Sequence, residues 1–213
     1  FIASAGSIAH LGAIPIFVDA DQKTWTMNVD QIEKLITAKT KAIMVVHTYG
    51  LPVDMNPIFG LAEKYGLFIV EDAAEAHGLK YRNKLCGSFG TISTMSFYAN
   101  KHLTTGEGGM ITTDSEQLAE RCRSLRNLCF QSEARFIHEE IGWNYRMTSM
   151  QAALGLAQLE RTSEILEIKK LMGHSYNIAL QNLDTFQLPA QITDYAENHY
   201  WVYGLVSKFP SRL

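Results

Sequence analysis

No apolar run among the 213 residues approaches the ~20 needed to span a bilayer, so the chain is expected in solution, with no membrane partner. Basic clusters are missing too. With 19 Lys and Arg against 22 Asp and Glu, and a formal net charge of −3, the electrostatic footprint of a nucleic-acid surface is lacking. Cysteine is scarce. Cys86, Cys122 and Cys129 are too few and too irregularly spaced for a disulfide framework. No His, Cys, Asp and Glu group has metal-ligand spacing, so no metal is expected. Cys122 and Cys129 are expected on one helix face as reduced thiols, which suits a cytoplasmic location. There is no Gly-x-Gly-x-x-Gly after a strand, no Gly-Lys-Ser/Thr and no Gly-x-Ser-x-Gly, which removes the common nucleotide loops and the serine-hydrolase elbow. Nor is there an initiating Met or a signal-peptide pattern. The chain starts at Phe1 and stops at Leu213 within segments that read as structured, so it is expected to be part of a longer protein.

What remains is globular: 46% hydrophobic and 19% charged residues. Short apolar runs alternate with helical patterns. A strand is expected at 14–18, with Pro15 near its start, and a helix at 29–38 capped by Asn28. The uninterrupted run Ala42-Ile43-Met44-Val45-Val46 suits a parallel strand covered on both faces. A helix over 58–65 closes on Gly66, and a strand follows at 67–70. Residues 80–84 read as a turn between short strands. Further strands are expected at 91–98 and 109–113, then a helix capped by Asp114 or Ser115 and running to about Arg126. Helical spacing persists from Thr148 to about Leu183, with a bend or break at Gly155 and Gly173. The run 200–206 looks strand-like.

Strand, helix, strand at this spacing is an α/β layer, whose ligands gather at the C-terminal strand ends. That places His47, Tyr49, Glu71 and Asp72 at one edge. The plain reading of Asp72 is an acid capping the next helix. Its functional reading is a carboxylate against a heterocyclic nitrogen, keeping a charged ring protonated. Lys101 sits beside the turn Thr104-Thr105-Gly106-Glu107-Gly108-Gly109, where a partly desolvated amine can lose its proton and attack an aldehyde. Ser96 and Asn100 are donors suited to a phosphate. The turn itself is a hairpin-type turn or a place for backbone to approach a ligand. His10, His174 and His199 read as surface or packing residues, while His47 and His77 are open between packing and a site role.

Glu71-Asp72-Ala73-Ala74-Glu75-Ala76-His77-Gly78, then Ser96-Phe97-Tyr98-Ala99-Asn100-Lys101 with Thr105-Gly106-Glu107-Gly108-Gly109, resemble the DegT-type sugar aminotransferases. Tyr49-Gly50-Leu51-Pro52-Val53-Asp54-Met55 and Gly142-Trp143-Asn144-Tyr145-Arg146-Met147-Thr148 extend the likeness. Asn127-Leu128-Cys129-Phe130 points to the perosamine-synthase branch. The resemblance implies a three-layer α/β fold with a mostly parallel sheet, the large domain of fold-type-I pyridoxal 5′-phosphate (PLP) transferases, plus the start of a small C-terminal α+β domain. It divides the chain into 1–147 of the large domain, a helical link at 148–183 and the small domain from 184 to 213. Lys101 is then similar to the lysine that bonds the PLP aldehyde and moves protons, and Asp72 to the partner of the pyridine nitrogen. Glu75 falls near the ring oxygen, where the family often has Gln or His. Ser96 matches a phosphate-contacting hydroxyl. Asn144 or Arg146 lies where the family reaches the phosphate of a neighbouring subunit's cofactor. The implied reaction converts a nucleotide-linked 4-keto-6-deoxy sugar to the 4-amino sugar, with glutamate as amino donor and a homodimer sharing its sites. A PLP-dependent sugar dehydratase, or a non-catalytic regulatory relative, is the alternative; the dehydratases carry His where Lys101 stands.

Overall fold

The computed structural model describes residues 1–209 apart from positions 132, 135 and 139. Helix α1 (Ile2–His10) leads into an extended stretch. The strand expected at 14–18 does not form: Pro15 has no N–H to give a ladder, and Ile14, Ile16 and Phe17 stay exposed. Nor does a full helix follow. Asn28 does cap, accepting the Asp30 N–H, but only two 3₁₀ turns form, Val29–Gln31 and Glu33–Leu35. Ile36 returns to extended backbone, and the Thr37 N–H bonds to the Thr40 hydroxyl to turn the chain.

Strand β1 (Ala42–Val46) leads through Asp54, which caps on the Asn56 N–H, into α2 (Met55–Tyr65). Gly66 ends that helix at φ 63°, the left-handed cap that glycine adopts without a Cβ clash. Strand β2 (Phe68–Asp72) pairs parallel with β1, setting Val45 opposite Glu71 and Val46 opposite Asp72. The hairpin β3 (Lys80–Tyr81) and β4 (Lys84–Leu85) turns at Arg82 and Asn83, both at positive φ as a two-residue type I′ loop demands. Strand β5 (Ile92–Ser96) runs parallel to β2, and β6 (Gly109–Thr112) returns antiparallel to β5. The sheet order is β1-β2-β5-β6.

One face of the sheet is closed. Ile43, Val45 and Ile69 pack with Val53, Met55, Ile58 and Ala62 of the α2 region and with Leu79, Tyr81 and Cys86 of the hairpin region. The other face is half open at Met44, Val46, Val70 and Asp72, unlike the two-sided cover expected of β1. Since successive strand residues alternate faces, Glu71 faces the closed core and Asp72 the open side.

Helix α3 (Glu116–Arg126) is capped by Ser115. It stops before Cys129, so the two downstream cysteines do not share a helix face; Cys129 lies past the end at φ 51°. The long helical region breaks at Glu160 and Arg161, between α4 (Ser149–Leu159) and α5 (Thr162–Leu180), and not at its glycines. Both glycines are contact points instead. A Cβ at Gly155 would stand 2.9 Å from the Thr105 methyl, and one at Gly173 would stand 2.3 Å from the Tyr200 ring. The run 200–206 is mostly irregular; only Val206–Ser207 (β8) pairs, with Phe186–Gln187 (β7). No helix of the described residues is long and apolar enough to cross a membrane.

The chain exposes 13,988 Å², against roughly 10,000 Å² for a compact protein of this mass. Apolar side chains account for part of the excess. Helices α1 and α4 bury no residue, and Phe1, Ile2, Leu11, Met150 and Tyr145 all stand open.

Candidate active site

The acids at the end of β2 part company. Glu71 is fully buried and accepts from His47 Nε2 at 3.0 Å, from the amides of Gly87, Phe89 and Gly90, and from the Ser93 hydroxyl at 2.7 Å. His47 Nδ1 takes the Val53 N–H, so its proton sits on Nε2, facing Glu71. Burial pushes the Glu71 carboxyl up, but His47, Gly87 and Ser93 outweigh it and hold it at about 2. His47 and Glu71 therefore form a structural pair beneath the sheet's end and do not line the site the sequence suggested. Cys86 lies close to both. The donors already spent on Glu71 and His47 make this a hydrogen-bonded core.

Asp72 belongs to the open side. Its Oδ2 accepts the Ser4 hydroxyl at 2.7 Å and its Oδ1 the Ala74 N–H at 3.1 Å, so both oxygens are held by donors and aimed from the strand end. Ser4 was not legible as a site residue, because 68 positions separate it from Asp72.

Lys101 lies in the loop after β5, beside the turn as expected. Its side chain is only 10% exposed; its Nζ stands 3.9 Å from Glu75 Oε1 and 3.9 Å from the centre of the Trp201 ring. Burial lowers the Lys101 ammonium from its usual range, while Glu75 and then Asp72 pull it back up. Glu75 Oε2 takes the Tyr49 N–H at 2.7 Å. Burial raises the Glu75 carboxyl, with the Tyr49 amide and Lys101 opposing. A partly desolvated amine beside Glu75 and in the field of Asp72 can act as a nucleophile and carry a proton.

Behind Lys101 lie His77, stacked on Phe97 at 5.6 Å, and His102, edge-on to His77. Burial holds both at about 4, so they stay neutral near pH 7. His77 thus resolves to packing behind the site.

Ser96, at the end of β5, accepts the Tyr98 N–H, and among the described residues its hydroxyl proton has no acceptor. Asn144 and Arg146 sit apart from this cluster, exposed beside the end of α3. Asn144 bridges to Asn127, whose side-chain oxygen takes the Arg146 guanidinium at 2.5 Å. Among the described residues no hydrogen bond or ion pair joins either of them to Asp72, Glu75 or Lys101.

This arrangement suits the two reactive ends of pyridoxal phosphate. A donor-held carboxylate and a partly desolvated amine lie on one open sheet edge, each close to Glu75 in its electrostatic field.

Residues 1–211 match the model of the DegT/DnrJ/EryC1/StrS aminotransferase family. Over 208 residues the chain is 44% identical to GDP-perosamine synthase of Escherichia coli O157:H7, covering 98% of this chain and 56% of that protein. The GDP-perosamine synthase of Caulobacter vibrioides is 43% identical over 203 residues, 95% of this chain and 55% of that one. Among solved structures, a DegT DnrJ EryC1 StrS aminotransferase from Brucella abortus aligns with a TM-score of 0.87 at 34% identity, over 98% of this chain and 57% of that chain. The chain thus spans little more than half the length of the curated relatives it matches.

Proposed function

Because the chain belongs to the DegT/DnrJ/EryC1/StrS aminotransferase family, we propose that it carries the lysine-bearing part of a PLP-dependent transaminase acting on a nucleotide-linked keto sugar. The observation that carries this reading is the Lys101 amine, one-tenth exposed, beside Glu75 and in the field of Asp72 at one strand end. When bound, PLP supplies an aldehyde for an amine and an electron sink for the carbanion chemistry.

The chain's own residues have separable tasks. Asp72, held by Ser4 and Ala74, presents a fixed anion that keeps a pyridine nitrogen protonated. Lys101 would be the nucleophilic amine toward the aldehyde, and its Nζ, when free, would take and return the substrate proton. Glu75 sits between the Tyr49 amide and Lys101, at the position the resemblance sets near the ring oxygen. The Ser96 hydroxyl is available to a phosphate.

The likeness to GDP-perosamine synthases favours a sugar linked to a nucleoside diphosphate as acceptor; the 4-keto-6-deoxy sugar and the glutamate donor rest on the motif resemblance. Exposed apolar faces on α1 and α4 support a homodimer. In such a dimer Asn144 or Arg146 would serve the partner's phosphate.

Borohydride reduction of the protein with PLP, followed by peptide mass spectrometry, tests the assignment. Covalent label on Lys101 is expected. Label on another lysine, or none in folded protein, overturns it.

A further inference from the structure

The segment 198–203 crosses the end of β1 and brings an aromatic face onto Lys101. The His199 N–H bonds to the Gly50 carbonyl at 2.8 Å, and the Trp201 N–H to the Tyr49 carbonyl at 3.1 Å. Gly50 permits this approach: at φ 96°, a Cβ there would stand 2.6 Å from the backbone nitrogens of Tyr200 and Trp201. On the far side, the Tyr200 ring packs on Gly173, and its hydroxyl accepts from Asn177 Nδ2 at 2.9 Å. Tyr203 donates to Asn177 Oδ1 at 2.7 Å. The segment is thus pinned to β1 and to α5 on either side of Trp201. The indole is fixed as well, since its Nε1 donates to the carbonyl of Asn100 at 2.9 Å, one residue before the lysine.

We infer that Trp201 is a positioning residue for the Lys101 amine, its indole face fixing where Nζ points and how tightly it holds a proton. The geometry is an ammonium 3.9 Å from a ring centre whose edge is anchored to the neighbouring residue's carbonyl. An indole face stabilises a cation through its quadrupole. Unlike a further carboxylate, it has no charge of its own to strand when the amine gives up its proton. The face therefore holds Nζ in place while leaving deprotonation accessible. The wider importance of this device rests on the reading of Lys101 as the reacting amine, but the contact can be measured without cofactor.

Trp201→Phe keeps a ring face and loses the N–H; Trp201→Leu keeps apolar cover and loses both. Cofactor-free protein is treated with a trace amine-acylating reagent across a pH series, and Lys101 modification is read by mass spectrometry. Loss of the face should speed Lys101 acylation in Trp201→Leu about three- to tenfold at mildly alkaline pH and lower its midpoint. Trp201→Phe should stay within about twofold of the native rate. Equal behaviour of the two variants, or unchanged or slower labelling in Trp201→Leu, overturns the proposal and leaves Trp201 a simple tether. Should Trp201→Leu fail to fold, the native protein decides the matter. With ¹⁵N-tryptophan, one of the three indole signals should titrate with the acylation midpoint and stop doing so in Lys101→Met. No titrating indole signal, or one that persists in Lys101→Met, overturns it. Borohydride mapping to Lys101 can succeed while this test fails, so the two readings fall separately.

Discussion

Glu75 links two parts of the site: one oxygen lies 3.9 Å from Lys101 Nζ and the other takes the Tyr49 N–H. Tyr49 is held at φ 60°, and its carbonyl in turn receives Trp201. Glu75→Gln keeps an oxygen for the Tyr49 amide and removes the nearer of the two charges that favour the Lys101 ammonium. Lys101 should then lose its proton more readily. Its acylation at neutral pH is expected to rise severalfold. The measurement is the pH series of lysine labelling. Unchanged labelling would show that solvent already screens the pair.

Gly173→Ala places a methyl 2.3 Å from the Tyr200 ring, in a helix where the substitution would otherwise help. Tyr200 is 1% exposed and has no room to swing away. The expected cost is about 1–3 kcal/mol, read as a lower urea midpoint at unchanged m. Trp201 should lose its grip on the Asn100 carbonyl at the same time. Gly155→Ala meets only a threonine methyl, at 2.9 Å, and should cost less.

These glycines also show where sequence reading stopped. Strands β1, β2, β5 and β6, the hairpin, the Gly66 cap and the Ser115 cap were legible, because each is written in a local run of residues. The reading of Asp72 and Lys101 as cofactor partners rests on their joint motif. Gly155 and Gly173 read as helix breakers, since helix propensity is local; their contacts with Thr105 and Tyr200 are not. Glu71 and Asp72 looked like equals at a strand end; alternation sets them on opposite faces, and only the packing of the sheet shows that Glu71 takes the closed one. Trp201 gave no signal at all, because the Asn100 carbonyl that anchors its indole lies 101 positions away.

Glu71 tests how much the closed face depends on charge. Gln at this position would offer one carbonyl oxygen and turn an NH₂ toward the amides of Phe89 and Gly90, or toward Gly87 and His47. Each buried donor left facing that NH₂ without an acceptor costs about 1–3 kcal/mol. Glu71→Gln should therefore lower soluble yield and urea midpoint sharply. A shift under about 1 kcal/mol would mean that the 87–90 loop rearranges around it.

His77, His102 and His199 are buried, and burial holds each at about 4. Neighbouring cations push the same way: Lys101 on His77, Lys169 on His102 and Lys170 on His199, with Glu197 opposing on His199. Their affinity for protons is thus lower folded than unfolded, where a histidine titrates near 6.5. Between those values the unfolded chain binds more protons, so stability falls as pH falls. With all three taking part, the slope approaches about 4 kcal/mol per pH unit. The ordinary stability of a domain, about 5–15 kcal/mol, would be consumed within a few units. Glu71 adds nothing in the upper part of this window, since its contribution is complete above about 4.5 and is lost only on the way down to about 2. Urea unfolding at stepped pH should accordingly show loss beginning near 6.5. Replacing His102 with Gln, which does not titrate, should remove about a third of the slope. A stability that stays flat from pH 6.5 to 4.5 would mean that these imidazoles find proton acceptors in the folded protein and are not kept neutral by burial.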